Sequence, residues 1–121
     1  MVAIGVDAHK RIHVGLALDD TGKEVGRWQG ANHAGGWRDL ANWAAALDGP
    51  RQWGVEGAWG NGRGLAQYLV GTGETVYEIN ARWTAQGRRT ARKAGKTDRK
   101  DARAIAQVVR QEAPDALPSL E

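Results

Sequence analysis

The N-terminal stretch Val2–Ala8 constrains the fold more than any other part of the chain. It reads VAIGVDA, an almost continuous apolar run that only Asp7 interrupts. A run of this kind, without alternation of polar and apolar residues, is typical of a central strand that is buried on both faces. The fold is therefore expected to be built around this strand, with Asp7 close to its end.

The remaining patterns predict an α/β domain. Alternation over residues 11–18 and a turn signal at 19–22 (DDTG) predict a second strand and then a third at about 24–29. Helical spacing and short apolar runs then alternate, with helices at 33–48, 64–70 and 97–111 and strands at 52–56 and 74–79. Three antiparallel strands followed by alternating helices and strands predict a mixed five-stranded sheet with flanking helices, the layout of the ribonuclease H-like fold.

The chain's composition limits the chemistry it can carry. It has 121 residues, which suits one domain, and no cysteine, so disulfides and thiolate metal sites are excluded. Any metal ion must be held by oxygen or imidazole ligands. The N-terminal apolar run is too short for a secretory signal or a membrane span. We therefore expect a cytoplasmic protein with no membrane partner.

Positive charge is concentrated just before the last predicted helix. The net charge is only +3, yet residues 82–100 contain eight cations and one acid. Such a patch attracts polyanions, most often nucleic acid, although it is also compatible with a simple solvated loop. The candidate nucleic-acid-binding residues are Arg82, Arg88, Arg89, Arg92, Lys93, Lys96, Arg99 and Lys100.

Four acids stand out by their positions. Asp7 and Glu56 come at the ends of buried strands, and Asp98 and Asp101 open the final helix. The two aspartates are three residues apart, so they share a helix face with the apolar stripe that must pack on the sheet. If the four carboxylates converge, their mutual repulsion calls for a divalent cation, and hard oxygen ligands favour Mg²⁺ or Mn²⁺. Taken singly, each acid also has an ordinary interpretation as a helix cap, a turn residue or a strand-end acid.

These residues resemble a known family. The segments 4–10 (IGVDAHK), 55–57 (VEG) and 96–102 (KTDRKDA) are similar to the N-terminal RuvC-like domain of insertion-sequence transposases of the family numbered one hundred and ten. The resemblance implies that Asp7, Glu56, Asp98 and Asp101 are catalytic, metal-binding acids of a DNA transposase or recombinase. It also implies a structured guide RNA (the bridge RNA), DNA as substrate and a homo-oligomeric full-length form.

The resemblance also sets an expectation for domain organisation. Residues 1–112 are expected to form the RuvC-like catalytic domain, and residues 113–121, which include Pro114 and Pro118, a tail or truncated linker. Family members carry a C-terminal domain whose serine attacks DNA. That domain is absent from these 121 residues, and Ser119 is not assigned its role.

Two other functions remain open at this point. A non-catalytic RNA- or DNA-binding or assembly module of the same fold would need the basic segment but not the acids. An actin- or sugar-kinase-like ATPase lobe also opens with a strand, an aspartate and a second strand. Two smaller questions concern Trp59, which can stack on a base or pack in the core, and His9, which can reach the metal site or lie in solvent.

Overall fold

The protein forms one mixed sheet with helices on both faces. The computed structural model describes residues 1–79, 98–112 and 118–120, with 98–100 described by their backbone alone. Within them the strands are β1 (Val2–Ala8), β2 (Ile12–Leu18), β3 (Glu24–Ala31), β4 (Arg51–Glu56), β5 (Val76–Ile79) and β6 (Ser119–Leu120). The helices are α1 (Ala34–Ala45), α2 (Arg63–Gly71) and α3 (Asp98–Gln111).

The sheet order is β3-β2-β1-β4-β5-β6, which places β1 in the middle. β1, β2 and β3 pair antiparallel in sequence, whereas β1–β4 and β4–β5 are parallel. The predicted antiparallel arrangement of the first three strands is confirmed, and β1 has β4 as its other neighbour. The parallel pairs bring the C-terminal ends of β1, β4 and β5 to the same edge of the sheet.

Helix α3 covers one face and lies directly on the backbone of β1 and β4. Its buried residues Ala102 and Ala106 contact Val14, Leu16 and Leu18 of β2. Gly5 on β1 has no room for a side chain, because a Cβ there would fall on the backbone of Ala102 and Ala106. The apolar stripe predicted for this helix is confirmed, and glycine at position 5 lets the helix approach the sheet closely.

Helices α1 and α2 cover the opposite face. The core there is formed by buried residues of β1, β4 and both helices, including Ile4, Val6, Trp53, Leu40 and Leu65. Trp28, Trp37 and Trp43 pack against this core while remaining partly exposed, and Trp53 is buried within it. The two layers explain why β1 is buried almost throughout.

The five-strand prediction is wrong by one strand. Ser119 and Leu120, expected in a tail, form β6 and pair antiparallel with Tyr77 and Val76 of β5. Two residues flanked by proline are too short to show alternation, and the pairing is set by the free edge of β5 rather than by local sequence. With this correction, the mixed six-stranded sheet and three helices of the described ranges are consistent with the ribonuclease H-like fold.

None of the helices in the described ranges is long and apolar enough to cross a membrane.

Candidate functional site

Asp7 and Glu56 lie side by side at the C-terminal edge of the sheet. They are register partners in the parallel pairing of β1 with β4, so their side chains leave the same face of the sheet. That face is the one covered by α3, since Gly5 and Gly54, two residues earlier in each strand, both contact the helix. Asp7 is only 5% exposed. Two acids are thus placed at a boundary between the core and solvent.

Helix α3 brings a third acid to the same place. Ile105 and Val109 of the helix pack with Ala3, near the start of β1. Ala102 and Ala106, which come earlier in the helix than Ile105 and Val109 respectively, lie over Gly5, further along the strand. The helix therefore runs antiparallel to β1, and its first turn reaches the end of the strand where Asp7 lies. The carboxylate of Asp101, in that first turn, acts electrostatically on Asp7. We call Asp7, Glu56 and Asp101 the acidic cluster.

The fourth predicted acid, Asp98, begins α3, so its backbone lies three residues before Asp101 in the same helix. Its side chain is outside the described part of the structure. The structure thus places Asp7, Glu56 and the first turn of α3 at the same edge of the sheet. A metal site shared by the four acids stays a prediction.

Burial and like charge make the ionised form of Asp7 unfavourable. Loss of solvation on burial raises the pKa of Asp7 from 3.8 to about 6, with further upward contributions from the Asp101 and Glu56 carboxylates. His9 acts in the opposite direction, both by its charge and by a hydrogen bond. A carboxylate that is buried among other acids has a strong need for a nearby cation.

His9 partly compensates the negative charge of Asp7. Its Nε2 lies 2.9 Å from Oδ2 of Asp7, and its side chain is 41% exposed. His9 follows β1 by one residue, so the tight turn into β2 carries the imidazole back to the strand end. The sequence left a site role and simple solvation open for this residue, and the structure places His9 directly on Asp7.

His13 has a different position. It pairs with Ala8 across β1 and β2, is fully buried, and lies on the face covered by α1 rather than α3. Its Nδ1 is 3.1 Å from the carbonyl of Ile12, and burial lowers the pKa of the ring. His13 is therefore a neutral core residue and not a part of the acidic cluster.

The donor chemistry at the sheet edge suits a hard divalent cation. The cluster offers carboxylate oxygens from two strands and a helix, and an imidazole already contacts one of them. Among the side chains that the structure describes, no three His, Asp or Glu residues lie close enough to ligate a single ion together. The side chain of Asp98 is outside that set.

Asn32, a residue that the sequence did not indicate, holds the loops around the acidic cluster. Its Nδ2 donates to the carbonyls of Lys10 (3.0 Å), Asn61 (3.1 Å) and His9 (3.3 Å). Its Oδ1 accepts a 2.9 Å hydrogen bond from the indole of Trp37 on α1. One side chain thus joins the turn after β1, which carries His9, to the loop after β4.

Asn32→Ala is expected to lower the free energy of unfolding by about 2 kcal/mol, because two partly buried and two exposed hydrogen bonds are lost together. Urea denaturation measures the change. Asn61→Ala is the matched control, since Asn61 takes part through its backbone carbonyl alone and should leave stability unchanged. Equal effects of the two substitutions would contradict the proposed role of Asn32.

The predicted basic segment cannot be placed relative to the cluster. Arg82, Arg88, Arg89, Arg92, Lys93 and Lys96 lie outside the described residues, and of Arg99 and Lys100 only the helical backbone is described. Their role in nucleic-acid binding stays a prediction.

A comparison with known proteins gives a family match that covers nearly the whole chain. Residues 4–120 match a family model that is described as a transposase. It is the model of the Asp-Glu-Asp-Asp transposases of IS110. No match was found among curated proteins. The matched range includes every residue of the acidic cluster and Asp98.

Proposed function

The chain belongs to the IS110 transposase family, and from this membership we propose that Asp7, Glu56, Asp98 and Asp101 form a divalent-metal site that acts on DNA phosphodiesters. The observation that carries the proposal is the register pairing of Asp7 with Glu56, with Asp101 close enough to raise the pKa of Asp7. Family membership supports transposase function and DNA binding, and the site chemistry is our inference from the geometry.

The acids would act as oxygen ligands for Mg²⁺ or Mn²⁺. Asp7 and Glu56 are fixed by the sheet, and Asp101 by a helix whose position the close contact at Gly5 determines. When bound, such ions stabilise the charge that develops on the attacking and leaving oxygens of a phosphodiester. The N-terminus of α3 points towards the cluster, and its partial positive charge favours ionised carboxylates there.

His9 would orient Asp7. The 2.9 Å contact to Oδ2 restricts rotation of that carboxylate. Histidine–carboxylate contacts of this kind commonly fix the geometry of metal ligands. In the proposal His9 is a positioning residue rather than a catalytic one.

Family membership supports DNA as a partner, and the charge pattern suggests where nucleic acid binds. We propose that DNA phosphates are drawn to the anionic site by the basic residues that precede it in sequence, because uncompensated acids would repel them. We also propose that the same residues bind a structured bridge RNA and that the protein acts as a homo-oligomer. These residues are Arg82, Arg88, Arg89, Arg92, Lys93, Lys96, Arg99 and Lys100.

Strand cleavage of supercoiled DNA by the purified protein tests the proposal. Nicking is expected in Mg²⁺ or Mn²⁺ and should fall to background in chelator and in Glu56→Gln. Asp39→Asn is the control, because it removes one negative charge from an exposed position of α1. Cleavage that persists in chelator, or that is absent with both ions, would contradict metal-dependent action on DNA.

A nucleic-acid-binding module without catalysis makes a different prediction. It would bind DNA or RNA in a salt-sensitive manner and be indifferent to Glu56→Gln in every assay. The burial of Asp7 beside other acids favours the catalytic proposal, since a binding module gains nothing from an unfavourable buried carboxylate.

A further inference from the structure

Trp59 is the most exposed large apolar side chain in the described part of the chain. It is 69% exposed, compared with 43% for Val25 and 37% for Met1. Tryptophan normally buries most of its surface, and leaving it in water is unfavourable. The core-packing interpretation of Trp59 is therefore wrong, whereas the other described tryptophans do pack in or against the core.

The loop that carries Trp59 is well structured. Gly57, which directly follows Glu56, has φ of +76°, and its carbonyl accepts hydrogen bonds from Gly60 N (2.9 Å) and Gly62 N (2.8 Å). Ala58, next to Trp59, is buried in the core. The loop is thus anchored immediately before the indole, and Trp59 is held three residues beyond an acid of the cluster.

Cationic residues lie on the same side of the molecule. Asn32 ties the Trp59 loop, at the carbonyl of Asn61, to the turn after β1 at the carbonyl of Lys10. Lys10 and Arg11 in that turn are exposed, as is Arg63 at the start of α2. An exposed indole beside exposed cations and an anionic site has the features of a surface for a nucleic-acid strand, in which a base stacks and phosphates pair with the cations.

We propose that Trp59 stacks on an unpaired base of the DNA strand that enters the acidic cluster, with Lys10, Arg11 and Arg63 contacting its backbone. This inference rests on the proposed function, since the strand that meets the cluster is then DNA. Stacking on an indole is possible for any base, so the contact would position the strand rather than read its sequence.

Fluorescence anisotropy with single-stranded DNA, at fixed ionic strength, tests the proposal. Trp59→Ala is expected to weaken binding by about 5- to 100-fold, the range that loss of one base–aromatic stack produces. Trp59→Phe should recover part of the loss. Val25→Ala, which truncates an exposed apolar residue on β3, is the matched control and should bind as the unchanged protein does.

DNA strands that lack a single base, at one abasic site, test whether the contact with Trp59 is base stacking. For the unchanged protein, one abasic position should weaken binding, and this penalty should disappear in Trp59→Ala. Lys10→Gln should instead weaken binding to intact and abasic strands equally and reduce the salt dependence of binding.

Each outcome has a distinct meaning. If the unchanged protein binds DNA but Trp59→Ala binds equally well, the stacking proposal fails while the proposed function stands. If the unchanged protein binds no DNA, both fail. Tighter binding of RNA with the same Trp59 dependence would overturn the assignment of the surface to DNA. If Trp59→Ala without DNA has a different sedimentation coefficient from the unchanged protein, Trp59 contacts another copy of the protein instead of a base, and the stacking proposal is wrong.

Discussion

Asp7→Asn is expected to stabilise the metal-free protein and to abolish its response to divalent ions. Burial and the neighbouring acids raise the pKa of Asp7 to about 6 in the folded state, compared with 3.8 for an ordinary aspartate. The folded protein therefore binds a proton more tightly than the unfolded chain does. Stability is lost as the pH rises from about 4 to 6, and above pH 6 the full penalty, about 3 kcal/mol, is present.

Asparagine carries no charge, so Asp7→Asn should gain most of that free energy above pH 6 in chelator. Below about pH 3, where aspartate is protonated in both states, the two proteins should be equally stable. Divalent ions should reverse the ranking. At an ion concentration of about 1,000 times the dissociation constant, binding stabilises the unchanged protein by about 4.1 kcal/mol, which exceeds the penalty, and the variant should gain nothing.

Chemical denaturation at several pH values, with chelator or Mn²⁺, measures both effects. Asp39→Asn is the control, since it makes the same substitution at an exposed position of α1 and should show neither effect. If Asp7→Asn is less stable than the unchanged protein in chelator above pH 6, other groups of the protein already compensate the negative charge of Asp7, and the account of the penalty is wrong.

Gly5→Ala should destabilise the protein by about 3 kcal/mol, at the upper end of the usual cost of overpacking a core. The added Cβ would fall on the backbone of Ala102 and Ala106, and backbone atoms within a helix cannot rotate away. Helix α3 must then move off the sheet and take Asp101 with it. The substitution is therefore also expected to weaken Mn²⁺ binding, although it changes no ligand.

Gly15→Ala provides the matched comparison. Gly15 lies on the neighbouring strand, and its Cβ would meet the flexible end of Leu40 at 3.4 Å. Its effect on the midpoint of thermal unfolding should be small, since the same change of residue type is made without a backbone clash. Similar losses of stability in both variants would mean that the contact at Gly5 does not hold the helix.

Local sequence patterns predicted the long helices and strands of this fold but missed the strand at the edge of its sheet. The uninterrupted apolar run of β1 indicated a central strand because burial on both faces removes alternation, and the stripe Ala102-Ile105-Ala106-Val109 indicated the face of α3 that packs. Strand β6 was missed because a pairing of two residues depends on the free edge of β5, which no local pattern encodes.

The acidic cluster was predictable in outline for a similar reason. Acids that follow buried strands must lie at the sheet edge, and the parallel pairing of β1 with β4 places Asp7 beside Glu56. The roles of Asn32 and His9 depend on loop geometry. Asn32 lies 22 residues from Lys10 and 29 from Asn61 in sequence, and nothing in their residue types indicates the contact. Exposure of Trp59 likewise required coordinates, since tryptophan in a loop is compatible with packing as well.

The most direct test of the account is a crystal structure of the protein soaked in Mn²⁺, with anomalous diffraction locating the ion. The account predicts an anomalous peak at the sheet edge with oxygens of Asp7, Glu56 and the first turn of α3 at about 2.0–2.3 Å, the range for a hard divalent ion. Asp98 should be among the ligands. A peak elsewhere, or an acidic cluster that stays empty of manganese at saturating concentration while its carboxylates turn to solvent, would contradict the account.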